Sequence, residues 1–494
     1  MRKSTTDSFT LELKLQTSKE DLKFLDRVFY YGFRLYNTMV NHAIKQISKL
    51  QKDPQYQEGI KLYKNKKTRS QAKEILNERV SYYGLSEYEF HTYIAVARKQ
   101  YENYLDSSTV QKIATAVWRG VEKILYSNGK KLHFKKYVDL FSIEGKSNKQ
   151  GIRLRGNKLC FADHKIQSQI PSRRHVKERR YYTEAIHHRV KYSRIVRRPI
   201  GSRFHYFLQI TLEGKPPIKE NHTLGTGNVG HDQGTSTIAS VSQNGILLEE
   251  IGNDQSEYSK EIRRLNRKLD RSRRANNPDN YNEDGTIKKG KKTWKYSKTY
   301  IKDRAKLKRT YHKKVSSLKQ WQETYANQVL TLGDEHFVET MNNEGLKRRK
   351  NKPEKSEKTG KFKRSKRFGK SYQTHAPSQL INIIAWKLKC YGKELHRVNT
   401  KTFRASQYNH VTDDYVRKRL SKRHLYVNDE WIQRDLYSAF LLMNSKSDLE
   451  NTDRNKCFLT YDNFKNRHDK LIKEYLASDK KYPSSFGLKT CKLA

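Results

Sequence analysis

The chain opens on a two-residue period. Phe9, Leu11, Leu13 and Leu15 alternate with polar residues and predict a strand buried on one face. Thr17-Ser18-Lys19-Glu20-Asp21 then reads as a helix start, with Ser18 as the cap and Asp21 three residues on. Leu22, Leu25, Val28, Phe29 and Phe33 continue at helical spacing, and polar-rich helices run to about 128, two of them around 90–104 and 108–126. Between 130 and 215 the text turns to short alternating segments, Lys131–Phe134, Ile152–Leu154 and Phe204–Ile210, which predict antiparallel strands. The pattern is one β-rich domain whose first strand precedes an inserted helical block.

Gly214-Lys215-Pro216-Pro217 through Gly225-Thr226-Gly227 has the composition of a linker and predicts the main domain boundary. Beyond it, strands at 228–233, 237–243 and near Ile246–Leu248 form a meander. Two long helical patterns follow, one marked by Ile262, Leu265 and Leu269, the other by Leu307, Tyr311, Val315, Leu318, Trp321 and Tyr325, read as a packed face. The Arg and Lys residues between them are candidates to lie along a nucleic-acid duplex. His336–Asn342 predicts a short strand, and the stretch from Lys347 to Lys370 carries 13 basic and 2 acidic residues. A helix at 377–391, a strand at 394–398, a helix at 434–443 and a polar tail complete the reading. The expected class is α+β, multidomain.

Composition adds a partner. The 494 residues hold 103 Lys+Arg against 52 Asp+Glu, a formal charge of +51. Such a field attracts polyanions, and many phosphates are needed to neutralise it, so a long nucleic acid is the expected partner. Cys160, Cys390, Cys457 and Cys491 include no Cys-x-x-Cys pair, which argues against a disulfide scaffold and a thiolate zinc site. No apolar run approaches membrane length, and Met1-Arg2-Lys3-Ser4 leads into no signal-type core, so no membrane association is expected and the prokaryotic cytoplasm or nucleoid is the expected compartment.

Candidate chemistry sits on three acids. Asp232 lies in Gly230-His231-Asp232-Gln233-Gly234 on the first strand after the linker, Glu339 ends a later strand, and Asp435 opens a late helix. A meander, a helical excursion, a strand with Glu339 and a helix with Asp435 follow the order of an RNase H-like domain. Three carboxylates meeting at one sheet edge hold two Mg²⁺ ions, one activating water and one stabilising the leaving 3′-oxygen. Each acid alone has a plainer reading, as turn residue, solvated strand end or helix cap.

At these positions the chain resembles a family. Gly230–Gly234 resembles the first RuvC motif of transposon-encoded TnpB proteins and the related compact type V CRISPR effectors. Phe337–Leu346 is similar to the second motif, Arg434-Asp435-Leu436-Tyr437-Ser438-Ala439 onward to the third, and Leu35-Tyr36-Asn37 to a tripeptide near the start of the family. The resemblance runs from about 8 to 445 and is specific over 228–445. It implies an RNA-guided, Mg²⁺-dependent DNA endonuclease with Asp232, Glu339 and Asp435 as catalytic and metal-holding residues. Its partners would be a guide RNA and target double-stranded DNA cut beside a short protein-read motif, with base pairing delivering specificity. A monomer on its RNA is expected rather than a dimer. The implied architecture is a wedge-like β-barrel domain (1–17 and 129–222), a helical recognition lobe (18–128) and a RuvC domain (223–494) with a basic lid loop (343–372) and a degenerate zinc-module region (403–430).

Three departures accompany the resemblance. The zinc-module region has no cysteine, so no zinc is expected and His410 and His424 read as surface or core histidines. His231 and Gln233 are polar where the family is apolar, and Tyr437 replaces the usual Asn two residues after the third acid. Two basic clusters complete the candidate interface. Arg173, Arg174, Lys177, Arg179, Arg180, Arg189, Lys191, Arg194, Arg197 and Arg198 interleave with Tyr181, Tyr182 and Tyr192, which suits structured RNA. Lys347, Arg348, Arg349 and Lys350 open the 347–370 loop, read as a lid or a basic linker. A nuclease-impaired RNA-guided DNA binder, a transposition-associated recombinase and a structural RNA-binding protein remain as alternatives.

Overall fold

The computed structural model describes residues 6–200, 203–220, 222–347, 357, 368–419 and 421–488. The chain divides into two compact units, Met1–Lys219 and Glu220–Ala494. No helix among the described residues is long and apolar enough to cross a membrane.

In the first unit, β1 (Ser8–Leu15), β2 (Ser142–Glu144), β3 (Arg153–Arg155), β4 (Lys158–Phe161), β5 (His164–Gln169), β6 (Val190–Ile200) and β7 (Arg203–Glu213) form one antiparallel sheet in the order β2-β6-β7-β1-β5-β4-β3. Phe9, Leu11, Leu13 and Leu15 are all buried, as the alternation of β1 requires. α1 (Lys19–Lys52) starts in a capping box: the Ser18 hydroxyl accepts from the Asp21 N–H and the Asp21 carboxylate accepts from the Ser18 N–H. α2 (Pro54–Tyr63), α3 (Arg69–Tyr82), α4 (Glu87–Arg98) and α5 (Ser107–Tyr126) follow.

Two expectations fail here. Lys131–Phe134 is not a strand, and its Phe134 is 56% exposed. Just after this stretch a side chain holds the backbone: Asn37 Nδ2 donates to the Lys135 carbonyl (2.9 Å), and the Lys135 N–H donates to Asn37 Oδ1 (3.0 Å). The region read as strands also contains a helix, α6 (Val176–Ile186), which buries Tyr182 and Ala185.

The second unit is built on a five-stranded sheet of β8 (Asn228–Gln233), β9 (Thr237–Ser242), β10 (Ile246–Glu250), β11 (Glu335–Glu339) and β12 (Leu395–Val398). A helical excursion, α7 (Gln255–Ala275) and α8 (Lys298–Leu330), separates β10 from β11. The order is β10-β9-β8-β11-β12, with the first three antiparallel and β11 parallel to both β8 and β12. The short helices α9 (Asn343–Lys347) and α10 (Gly369–His375) lead to α11 (Pro377–Cys390); α12 (Thr400–Phe403) and the two-stranded ladders β13–β14 (Tyr408–Asn409, Asp414–Tyr415) and β15–β16 (His424–Val427, Glu430–Gln433) lead to α13 (Arg434–Met443) and α14 (Arg454–Ala477).

Helices cover both faces. Ala239, Val241, Leu248 and Phe337 pack with α13 and α14, whereas Ile238 and Val338 pack with α8 and α11. Two corrections concern these helices. Tyr311 and Val315 are 47% and 67% exposed, because α8 turns Thr310, Leu318, Gln322 and Tyr325 inward instead. The expected polar tail is α14, which buries Cys457, Tyr461, Phe464, His468 and Ile472 at helical spacing.

The polar His231 has a built environment on the α8 face. His231, His336, Ser240 and Tyr325 are all buried. His336 Nε2 lies 3.0 Å from the Gly333 carbonyl, His231 Nε2 lies 2.8 Å from His336 Nδ1, His231 Nδ1 lies 2.7 Å from Ser240 Oγ, and Ser240 Oγ lies 2.7 Å from the Tyr325 hydroxyl. The Gly333 carbonyl can only accept, so the protons run one way: Tyr325 to Ser240 to His231 to His336 to Gly333. Burial lowers the pKa of both rings, that of His336 to about 4, against the raising influence of the Gly333 carbonyl, Asp334 and Glu335.

On the opposite face, α13 crosses β8 at Gly230. A Cβ there would sit 2.0 Å from the Ala439 carbonyl oxygen and 2.4 Å from the Met443 nitrogen, so only glycine admits this approach. Gly230→Ala must push helix and strand apart, with an expected loss of at least about 2 kcal/mol in urea unfolding; an unchanged midpoint would refute the close crossing. The histidine chain gives a pH signature. The folded pKa of His336 lies below the usual ~6.5, so its stabilising share is full above that value and is lost as pH falls towards about 4. Wild-type stability should therefore decline over that window more steeply than that of His336→Asn, and equal slopes would count against the neutral pair.

Candidate functional site

The site grows from the β8 crossing. Alternation puts Gly230 and Asp232 on the same face of β8, the one that α13 covers. Ala439 meets Gly230, and Asp435 lies one turn earlier in α13, on the side towards which β8 runs to Asp232. On the neighbouring strand Val338 pairs in parallel with His231, so the next residues, Glu339 and Asp232, come side by side. Three acids separated by long stretches of sequence are thereby drawn to one end of the sheet.

Electrostatics report this convergence. Asp232 is half-buried, and its pKa is raised well above the usual carboxylate range by burial first, then by the negative charges of Asp435 and Glu339. The nearby Arg434 and Arg423 act in the opposite direction. Glu339 is also raised by burial, countered by the Ala405 N–H, which donates to its Oε1 at 3.2 Å. Asp232 and Glu339 line one cavity of about 410 Å³ with Gln233, Thr340, Asn342 and Lys401.

Asp435 does not line that cavity. Its Oδ1 accepts from Arg434 Nε at 3.2 Å and Nη2 at 3.0 Å, while Arg434 Nη1 donates to the Lys422 carbonyl at 3.0 Å. Among the described residues no three His, Cys, Asp or Glu side chains stand close enough to hold one metal ion. The donors are hard carboxylate oxygens carrying mutually repelling charge, as a Mg²⁺ site needs. Their third member is occupied by an internal guanidinium.

The base of α13 is fixed from two sides. Gln433 caps it by accepting from the Leu436 N–H at 2.7 Å, and the Gln433 N–H donates to His468 Nε2 of α14 at 3.0 Å. In the 403–430 region, His410 is buried; its N–H donates to the Tyr437 hydroxyl (3.1 Å), and its Nδ1 lies 2.7 Å from the same oxygen. Arg454 of α14 donates to the His410 and Val411 carbonyls, both at 2.8 Å. His424 is half-buried and stacks on Trp431. This segment is held by packing and backbone hydrogen bonds.

The first basic cluster is mostly committed within the protein. Arg197 is fully buried: Nε donates to the Leu140 carbonyl at 2.7 Å, Nη2 donates to the Tyr137 carbonyl, and Phe29, Tyr137 and Phe204 surround it at 4.5, 4.2 and 4.4 Å. It is a core residue, and its assignment to nucleic-acid binding is corrected. Arg180 pairs with Glu184, Arg189 with Glu213, Arg194 with Glu144 and Arg198 with Glu12, while Lys191 bonds Thr6. Tyr182 is buried, so it offers no face to a base. Arg173, Arg174 and Lys177 are exposed, and Arg179 is partly so. Lys347 ends α9, whereas Arg348, Arg349 and Lys350 lie outside the described residues, as does most of the basic loop.

Sequence reading gave the cations of the long helices a duplex role without singling out residues, and the structure picks out a bare row among them. Lys260, Arg263, Arg267 and Arg271 lie on one exposed face of α7, at offsets of three, four and four residues. Among the described residues none of the four meets a carboxylate, because Glu261 pairs with Arg264 and Lys306, Asp270 with Arg273 and Arg274, and Asp303 with Lys268. The signal was the regular spacing of the cations, hidden by the many other basic residues around them.

Arg197→Ala should destabilise the protein by on the order of 3 kcal/mol, since one buried and one partly buried carbonyl lose their donor and three rings lose a packing partner. Arg173→Ala should leave the unfolding midpoint unchanged. Equal midpoints for the two variants would return Arg197 to the surface class.

No protein-family profile matches the chain. No curated protein matches it either. Among solved structures, the chain is similar to the protein of a Cas12f1–sgRNA–target DNA complex, at 14% identity and a TM-score of 0.41, covering 89% of this chain and 99% of that one. It is also similar to the protein of a CRISPR-Cas12f ternary complex, at 13% identity and a TM-score of 0.28, covering 86% and 82% of the two chains.

Proposed function

We propose that this protein is an RNA-guided DNA endonuclease whose cleavage site is an RNase H-like (RuvC) centre of Asp232, Glu339 and Asp435. The observation that carries the reading is geometric: the β8–β11 register sets Glu339 beside Asp232, and α13, which Asp435 opens, lies against β8 at Gly230. The sheet order supports it: three antiparallel strands, two parallel strands beside the first, and a helix laid across the first strand. The motif resemblance supplies the RNA guide, the double-stranded DNA target and the protein-read motif beside it.

Asp232 and Glu339 would hold Mg²⁺ at the cavity, with Asp435 joining once its carboxylate leaves Arg434. When bound, Mg²⁺ supplies the positive charge that polarises a phosphate and acidifies a bound water. The protein's own part is to keep two carboxylates of raised pKa in a partly dry cavity, where their charge favours a cation. Lys401 on the cavity wall would face the phosphate of an entering strand. The sheet of the first unit and its α1–α5 block correspond in this reading to the wedge and recognition parts, and the bare row on α7 offers phosphate contacts.

Asp232→Asn keeps the shape of the side chain and removes its charge. Mg²⁺-dependent cutting of a DNA matching the co-purified RNA should fall on the order of 10³-fold, while RNA binding persists. Cleavage at the wild-type rate would remove Asp232 from the site. The second reading, a guide-directed binder that has lost cleavage, is favoured by one observation: Arg434 occupies Asp435. It requires that the wild type bind its target with Mg²⁺ present and leave it uncut.

A further inference from the structure

The tripeptide Leu35-Tyr36-Asn37 has a structural consequence beyond the family likeness. Asn37 grips the backbone of Lys135 through both its N–H and its carbonyl. That grip sets the Lys135 side chain over the adjacent Tyr36 ring, with Nζ 4.2 Å from the ring centre. Here a side-chain amide on a helix positions a lysine almost a hundred residues later.

Lys135 does not simply point to solvent. With Tyr36, Lys112, Thr115, Arg119 and Glu144 it lines a cavity of about 130 Å³ in the first unit. Three cations therefore face one acid. Glu144 is already occupied, by Lys112 at 3.1 Å and by Arg194. Among the described residues neither Lys135 nor Arg119 meets a carboxylate. Burial pushes the Lys135 pKa down, as expected of a half-buried ammonium with no counter-ion.

We propose that this cavity is a phosphate-binding site in which Lys135 and Arg119 take up one phosphate group, supplied by a nucleic-acid strand or by a free nucleotide. A phosphate oxygen brings the negative charge that Lys135 lacks, and Arg119 supplies planar donors suited to a second oxygen. The Tyr36 ring holds the ammonium in place while the pocket is empty. The inference concerns the first unit and is independent of cleavage, so it stands or falls separately from the carboxylate reading.

The test uses full-length Lys135→Met and Arg119→Gln in an Asp232→Asn background. Lys135→Met keeps the backbone grip of Asn37 and the apolar stem over Tyr36, so the fold should survive, which unchanged melting in phosphate-free buffer checks. Three probes separate the sources: inorganic phosphate, adenosine monophosphate, and a duplex or single-stranded oligonucleotide titrated at several salt concentrations. If a strand is the source, each variant should bind oligonucleotide about tenfold more weakly, and the salt slope should drop by about 0.7–0.9. If a free nucleotide is the source, adenosine monophosphate should raise the melting temperature of the Asp232→Asn parent and not that of the variants. As an independent readout, amine-reactive labelling of Lys135 should be suppressed by the probe that binds. Variants indistinguishable from the parent with all probes, and labelling of Lys135 that no probe changes, would overturn the site.

Discussion

The second unit depends on a backbone-to-backbone approach. Where α13 meets β8, the strand presents Gly230 and the helix presents its own peptide groups, with no side chain between them. This contact fixes the height of the helix above the sheet, and hence how near Asp435 comes to Asp232. A larger residue at 230 would lift the helix along its length, and the charge coupling of the acids would weaken with distance. The glycine is thus a spacer set to zero thickness, and the arrangement of the acids follows from it.

Two unusual features of the carboxyl-terminal half are one feature seen from two ends. Tyr437 stands two residues after Asp435, and its hydroxyl is the partner of His410, inside the segment that lacks cysteines. Arg454 then fastens the His410 and Val411 carbonyls from α14. The segment is tied to α13 and α14 by an aromatic hydroxyl, an imidazole and a guanidinium. Such a design needs a packed helix face to tie to, and the buried stripe of α14 provides it. His468, from the same helix, accepts the N–H of Gln433 and so steadies the start of α13.

Much of the architecture was legible because it rests on local periodicity. The buried face of β1, the Ser18–Asp21 box, the β8–β10 meander and α13 follow from spacing alone, and all appear where the pattern put them. What was misread depends on partners distant in sequence. Lys131–Phe134 has strand-like alternation, yet it joins no strand, and the backbone just after it, at Lys135, is held by the Asn37 amide. Tyr311 and Val315 keep helical register with Leu318, but only the later half of α8 has a sheet beneath it. In α14 the apolar positions are diluted by polar ones, so the burial of His468 had no local signature. The acids were readable as candidates; that Arg434 holds the third was not, because adjacency in sequence does not reveal where a flexible guanidinium turns.

Arg197 bears on how the charge of the protein is counted. A cation enclosed by three rings and two carbonyls contributes to the formal total but is shielded from any polyanion in solution, and its neighbours Arg194 and Arg198 are paired with Glu144 and Glu12. The field that an approaching strand feels is therefore patchy, weaker over β6 and stronger where rows such as that on α7 stand unopposed. Net charge governs attraction from afar; at contact range the map of neutralised and naked cations decides the orientation of docking.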